Sequence, residues 1–165
     1  VNLRIPEKFP ARLSLVNPKG GLMLKWKRPK VRFKFKPAKL RTDKKEDGWK
    51  LIQNNNSTGE CSLGVVELLM GVPTSVSSPL EINNKSNLGQ LHAEQLMEDQ
   101  KVVPWQWRQF ILISPGTLWE NSFGERRVPH MIYANNRWNF GYSSVKLVAN
   151  SQFRIVRRVR DAHRG

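Results

Sequence analysis

The 165-residue sequence predicts a small α+β protein, mostly β. Its core is a small antiparallel sheet or barrel-like structure with one or two helices, and its termini are extended and basic. Three observations predict this. Residues 22–36 alternate apolar and cationic side chains with period two. Aromatics and β-branched residues crowd residues 105–149. One stretch, 88–101, has helical spacing. Composition reads as a segment 1–21, a core 22–150 and a basic segment 151–165.

Residues 1–21 carry prolines at 6, 10 and 18, which forbid a helix and favour an extended course. In 22–36, Leu22, Leu24, Trp26, Val31, Phe33 and Phe35 fall on one side. Lys25, Lys27, Lys30, Arg32, Lys34 and Lys36 fall on the other, with Arg28-Pro29 between the two runs. Only a strand separates successive residues in this way, so a β-hairpin with one cationic face is expected. Residues 37–60 read as a loop with a short strand around Trp49, Leu51 and Ile52. The apolar run 62–72 fits a buried helix or a buried strand, and 73–88 is a second loop. Residues 88–101 read as a helix capped by Asn87, with Leu88, Leu91, His92, Gln95, Leu96 and Met97 recurring near helical spacing and Glu94, Glu98 and Asp99 on the polar side. Pro104 ends it. A strand is expected at 105–113, short strands within 117–142, and a strand at 144–149. Residues 152–165 fit either a basic strand or a basic helix.

Lys and Arg number 28 and Asp and Glu 13, a net charge of +15. Small soluble domains usually carry about 2–8 in magnitude. Residues 1–50 hold net +12, residues 51–100 net −5, and residues 101–165 net +8. Two basic ends flanking an acidic middle point to a polyanionic partner, because each phosphate neutralised by a cation releases condensed counterions. The candidate nucleic-acid-binding residues are Lys25, Lys27, Arg28, Lys30, Arg32, Lys34 and Lys36 on the hairpin. Arg126, Arg127, Arg154, Arg157, Arg158 and Arg160 complete the set. Lysine dominates the first cluster and arginine the second. The planar guanidinium suits bidentate phosphate contact and stacking. Trp26 and Trp105 are expected in the core. Trp107, Trp119 and Trp138 lie near arginines, so base stacking is an alternative to burial for them.

Chemical motifs are sparse. Cys61 stands alone, so neither an internal disulfide nor a cysteine-based zinc site is available, and no stretch is long and apolar enough to span a membrane. His92, His130 and His163 lack metal-ligand spacing. His130, with Asn135, Asn136 or Asn139 and then His163, only loosely echoes a His-Asn-His nuclease, and Ser143-Ser144-Val145-Lys146 falls in an expected strand rather than at a helix start. Pro18-Lys19-Gly20-Gly21 lacks the rest of a phosphate loop. The glycosylation-type triplets at Asn55, Asn56 and Asn84 read as ordinary polar loops. No cofactor, metal or catalytic residue is expected.

The expectation is a non-catalytic, RNA-binding structural component of a large ribonucleoprotein assembly such as a ribosome, with neighbouring proteins as further partners. An intracellular, non-secreted location is expected, organellar ones included; a chain starting at Val1 fits either a removed leader or a start inside a longer chain. The first alternative is a self-assembling coat protein with a basic genome-binding arm. The second is a nuclease or nucleic-acid enzyme subunit with His130 as the residue to test.

Overall fold

The computed structural model describes residues 31–67, 84–147 and 152–160. Among the described residues strands account for 46% and helix for 21%, so the fold is α+β and mostly β. The sheet is open and mostly antiparallel rather than closed into a barrel. Its strands are β1 (Val31–Phe35), β2 (Lys50–Asn54), β3 (Gly59–Glu67), β4 (Ile111–Ile113), β5 (Thr117–Glu120), β6 (Arg126–Ala134), β7 (Arg137–Ser144) and β8 (Phe153–Val159). The α-helix is α1 (Gln90–Glu98).

β6 organises the sheet. Along one edge it pairs with β7 throughout, from Arg127↔Ser144 to Ala134↔Arg137. Asn135 and Asn136 close this hairpin with φ of 54° and 61°. A two-residue turn with both φ positive matches the strand twist, and asparagine tolerates that backbone. The other edge of β6 pairs with β4 near Met131 and with β5 near Arg126. Ser114-Pro115-Gly116 separates β4 from β5, so the sheet parts there into two wings. One wing continues from β4 through β8 and β3 to β1, and the other from β5 to β2.

Helix α1 packs on one face of the sheet, nearest β6 and β7. Leu88, Ala93, Leu96, Val103 and Trp107 meet Val31, Phe35, Leu63, Leu112, Met131, Trp138 and Val156 in the main core. A smaller cluster of Ile113, Leu118, Val128, Val145, Phe153 and Ile155 lies on the other face. α1 enters where the sheet parts. Gly116 N–H donates to the Leu88 carbonyl (2.7 Å), and Leu88 N–H donates to the Val156 carbonyl (3.2 Å). A Cβ on Gly116 would sit 2.7 Å from the carbonyl oxygens of both Asn87 and Leu88.

Several sequence expectations change. The helix begins after Gly89, not Asn87. Asn87 is buried and bridges to Arg157 of β8. Glu94 lies on the buried side of α1, only 5% exposed. Residues 105–109 wind as a 3-10 turn, and only 111–113 form a strand; Pro104 precedes the turn and helps set it. Trp105 is accordingly half exposed rather than in the core. Residues 145–147 are a 3-10 turn following β7, not a strand. β1 pairs with β3, Val31↔Leu63 to Phe35↔Gly59; its expected hairpin partner, 22–27, and Trp26 lie outside the described residues. The 62–72 run is strand as far as Glu67. Residues 153–159 form the strand between β3 and β4, so the core extends past residue 150.

Gly116→Ala forces a methyl group against backbone that cannot swing aside. Overpacking of this kind costs about 1–3 kcal/mol. The expected result is a lower urea midpoint with an unchanged slope.

Candidate nucleic-acid interface

The strand pleat sorts the cations. Val31 and Phe35 of β1 are buried in the main core, so Arg32 and Lys34 project from the opposite face; both are exposed. In β8, Val156 joins the main core while Phe153 and Ile155 join the smaller one. Alternation therefore puts Arg157 on the face of Arg32 and Lys34, and puts Arg154 and Arg158 on the helix side. Ser62 and Gly64 of β3 lie between the two strands on the cationic face, Ser62 opposite Arg32 and Gly64 opposite Arg157. Arg126 shares the face of Val128 in β6 but stands beyond the smaller core, beside Glu120 in the register. The structure thus brings Arg32, Lys34 and Arg157 onto one face of neighbouring strands and leaves Arg126 apart from them. Lys25, Lys27, Arg28 and Lys30 lie outside the described residues.

Most of the arginines are engaged by the protein itself. Arg32 meets Glu60 at 3.3 Å, and Arg127 meets Glu125 at 2.8 Å. Arg154 lies over the Phe110 ring, Cζ 4.2 Å from the centroid, and donates to the Phe153 carbonyl at 2.8 Å. Arg157 Nε donates to Asn87 Oδ1 at 2.6 Å. Arg158 donates to the Ser57 carbonyl at 3.0 Å and sits 6.0 Å from the Phe35 ring. Arg41 pairs with Glu98, and Arg108 lies 4.3 Å over Tyr133. The lysines differ. Of those described, Lys44 alone has a side-chain partner, Asp47 at 2.6 Å, and it also lies over Trp49. Lys34, Lys36, Arg126 and Arg160 are exposed and their side chains have no ion pair among the described residues. Lys36 is nonetheless fixed in place. Its backbone N–H donates to Gln95 Oε1 at 2.9 Å, and its carbonyl accepts from Gln95 Nε2 at 2.7 Å.

About half of the acidic side chains among the described residues are engaged. The Glu94 carboxylate accepts from the Arg41 N–H (2.8 Å), the Thr42 N–H (3.2 Å) and Gln90 Nε2 (2.8 Å). Glu60, Glu98, Asp47 and Glu125 each hold a cation. Arg127 and hydrogen bonds from Ser144 and Asn121 keep the Glu125 carboxyl below the usual range, with Ser144 the largest contributor.

The tryptophans near arginine do not offer faces to bases. Trp107, Trp119 and Trp138 are all buried, at most 2% exposed. Trp119 Nε1 donates to Gln90 Oε1 at 2.8 Å, tying β5 to the helix. Among the described residues the exposed aromatic rings are Phe123 and Trp105; the sequence signal for Trp105 was Pro104, which favours a turn over a strand in the residues that follow.

Histidine serves the fold. His92 is fully buried; its Nδ1 accepts from the Gly89 N–H at 2.8 Å and its Nε2 lies 2.6 Å from the Ser57 carbonyl. This geometry requires a neutral ring with the proton on Nε2. His130 Nδ1 is 2.6 Å from Ser143 Oγ, and its ring covers Gly141, where a Cβ would meet Nε2 at 2.6 Å. Asn135 and Asn136 form the hairpin turn, and Asn139 Nδ2 donates to the Ala134 and Arg137 carbonyls. His163 lies outside the described residues. Among the described residues no three His, Cys, Asp or Glu side chains are grouped to hold a metal, and no helix is long and apolar enough to cross a membrane.

Comparison with protein-family models, with curated proteins and with solved structures returns no match to this chain.

Burial is the main reason both His92 and His130 titrate below the ordinary imidazole value of 6.5. The unfolded rings take up protons near that value and the folded ones resist. Stability from these neutral rings is therefore complete above pH 6.5 and declines as pH falls toward the lower folded values. Urea midpoints are expected to drop between pH 7 and 5. A His92→Gln, His130→Gln variant, although less stable at pH 7, is expected to show a flatter profile over that range.

Proposed function

We propose that this chain is a non-catalytic nucleic-acid-binding protein, its polymer RNA, that serves as a structural component of a large ribonucleoprotein assembly such as a ribosome, an organellar one included. Neighbouring proteins of that assembly are its other partners. The observation that carries this reading is the unequal fate of the charges. The described residues hold 19 Lys and Arg against 10 Asp and Glu. Five of those acids are already taken up by backbone N–H groups or ion pairs, while eight of nine lysine side chains stand without a partner among the described residues. Self-repulsion of this size opposes folding, and a polyanion relieves it. Lys34 and Lys36 stand on a strand and a pinned loop, so they meet a phosphate backbone with little loss of backbone freedom. Contacts of this kind position a chain on RNA without reading its sequence.

Sedimentation of native extract tests the reading. The protein is expected in a large particle and is expected to leave it after ribonuclease treatment. Sedimentation as a free monomer insensitive to ribonuclease overturns the proposal, and a uniform shell of this chain alone favours a coat protein instead. With purified protein, a Lys34→Ala, Lys36→Ala, Arg126→Ala variant is expected to bind single-stranded RNA more weakly. Each lost phosphate contact reduces the slope of log K against log salt by about 0.7, so the triple variant loses about 2.

A further inference from the structure

Residues Trp105–Gln109 wind as a 3-10 turn. Three residues complete each turn of such a helix, so side chains at i and i+3 stand one above the other. Trp105 and Arg108 therefore share a side. Both are exposed, Trp105 by 50%, while Trp107 turns inward to the core. The Arg108 guanidinium rests on Tyr133, Cζ 4.3 Å from the ring centroid, and Tyr133 packs edge-on against the buried Trp138 at 5.5 Å. The core thus supports Tyr133, and Tyr133 supports a flat cation whose outer side meets solvent beside an open indole.

Cations predominate along the sequence that carries this patch, the nearest acid before it being the exposed Asp99, two residues from Lys101. The sequence has no Asp or Glu from Gln100 to Trp119, and none from Arg126 to Arg160. Lys101, exposed, lies four residues before Trp105. An apolar protein surface docking here would have to desolvate Arg108 without giving it a carboxylate. An unpaired nucleobase presents a flat π face to both the indole and the guanidinium, and its phosphates answer the cations.

We infer that Trp105 and Arg108 form a stacking platform for an unpaired RNA base, with Lys101 placed for the adjoining phosphate. The inference rests on the RNA-binding reading above and adds to it a preference for single-stranded over duplex RNA at this surface. Lys34 and Lys36 are indifferent to that distinction, whereas a stacking platform is not, because duplex bases are already stacked on one another.

The test compares the full chain with Trp105→Ala, Trp105→Phe and Arg108→Lys variants, using an oligouridylate and an RNA duplex of equal length at fixed salt. Trp105→Ala is expected to weaken oligouridylate binding about ten- to hundredfold, leaving duplex affinity and the salt slope as they were. Trp105→Phe is expected to keep most of the binding. Arg108→Lys, which keeps the charge and loses the plane, is expected to lose part of it. Urea midpoints identical to the parent's show that the exposed Trp105 is not needed for folding. Oligouridylate binding unchanged in Trp105→Ala overturns the inference, as does an equal loss on both RNAs. Loss of a protein partner by that variant, with RNA affinity intact, assigns the patch to protein contact and overturns it too. Failure of the parent chain to bind either RNA is a separate outcome, which overturns the proposed function itself.

Discussion

The close crossing of two backbone segments, 86–89 and 114–117, is the constraint on which the described structure depends. The sheet parts at Ser114-Pro115-Gly116, and the segment before α1 fills the gap. Arg158 N–H donates to the Ser86 carbonyl, Leu88 N–H to the Val156 carbonyl, and Gly116 N–H to the Leu88 carbonyl. Asn55 closes the other side, its N–H donating to the Gly116 carbonyl and its Nδ2 to the Asn87 carbonyl. The segment thus replaces the ladder bonds that the two wings lose where they diverge. Peptide groups buried at such a gap would otherwise stand unpaired, at about 1–3 kcal/mol each. The approach is close enough that Gly116 has no room for a side chain.

From that crossing the helix carries order outward through polar side chains rather than an apolar stripe. Gln90 reaches Thr42, Glu94 and Trp119, Glu94 takes two backbone N–H groups of the 41–42 loop, and Gln95 brackets Lys36. These bonds hold the loop from β1 to β2 against a helix that is buried on nearly every side. Side-chain bonds of this kind leave the elements they join few alternative arrangements, so they help fix register. The end of β1 is fixed with it, along with the row of cations that β1 presents. The charged strand is thereby attached to the most constrained part of the molecule.

What could be read from the sequence follows from which forces act locally. Period-two alternation at Val31, Phe33 and Phe35 gave β1 and its cationic face directly, because burial on one side of a strand leaves its imprint in adjacent residues. The helix was legible from Leu91, Leu96 and Met97, but its polar residues misled. Glu94 read as part of the solvent face, yet its carboxylate accepts from the backbone of Arg41 and Thr42, more than 50 residues away in sequence. The turn at 105–109 resembled a strand because Trp105 and Trp107 alternate with polar residues, a pattern that a 3-10 turn also satisfies when one ring points in and one out. Strand β8 was ambiguous because Phe153, Val156 and Val159 fit helical spacing, while Arg157 breaks the alternation that Phe153 and Ile155 begin; Arg154, Arg157 and Arg158 lie within it. In the sheet each of them finds a ring, an amide or a carbonyl. The candidate site was legible as a list of cations but not as a surface, since pleat and pairing decide which cations share a face.

The contrast between arginine and lysine follows from their hydration. A guanidinium is weakly hydrated and flat, so a half-buried berth on Phe110, Tyr133 or Phe35 costs it little. An ammonium holds its water, so lysine gains less from such a berth and stays in solvent. Arginines at 154, 157 and 158 have therefore become parts of the wall of this protein. The net charge of +15 overstates what the C-terminal strand offers to a phosphate backbone, and it describes the lysines of residues 31–50 more faithfully. Charge counted along a sequence weighs every cation equally. In the folded chain a cation contributes to a polyanion site only if its own protein has not already provided it with a partner, and here that condition selects lysine over arginine everywhere except Arg126, Arg137, Arg160 and the outer side of Arg108.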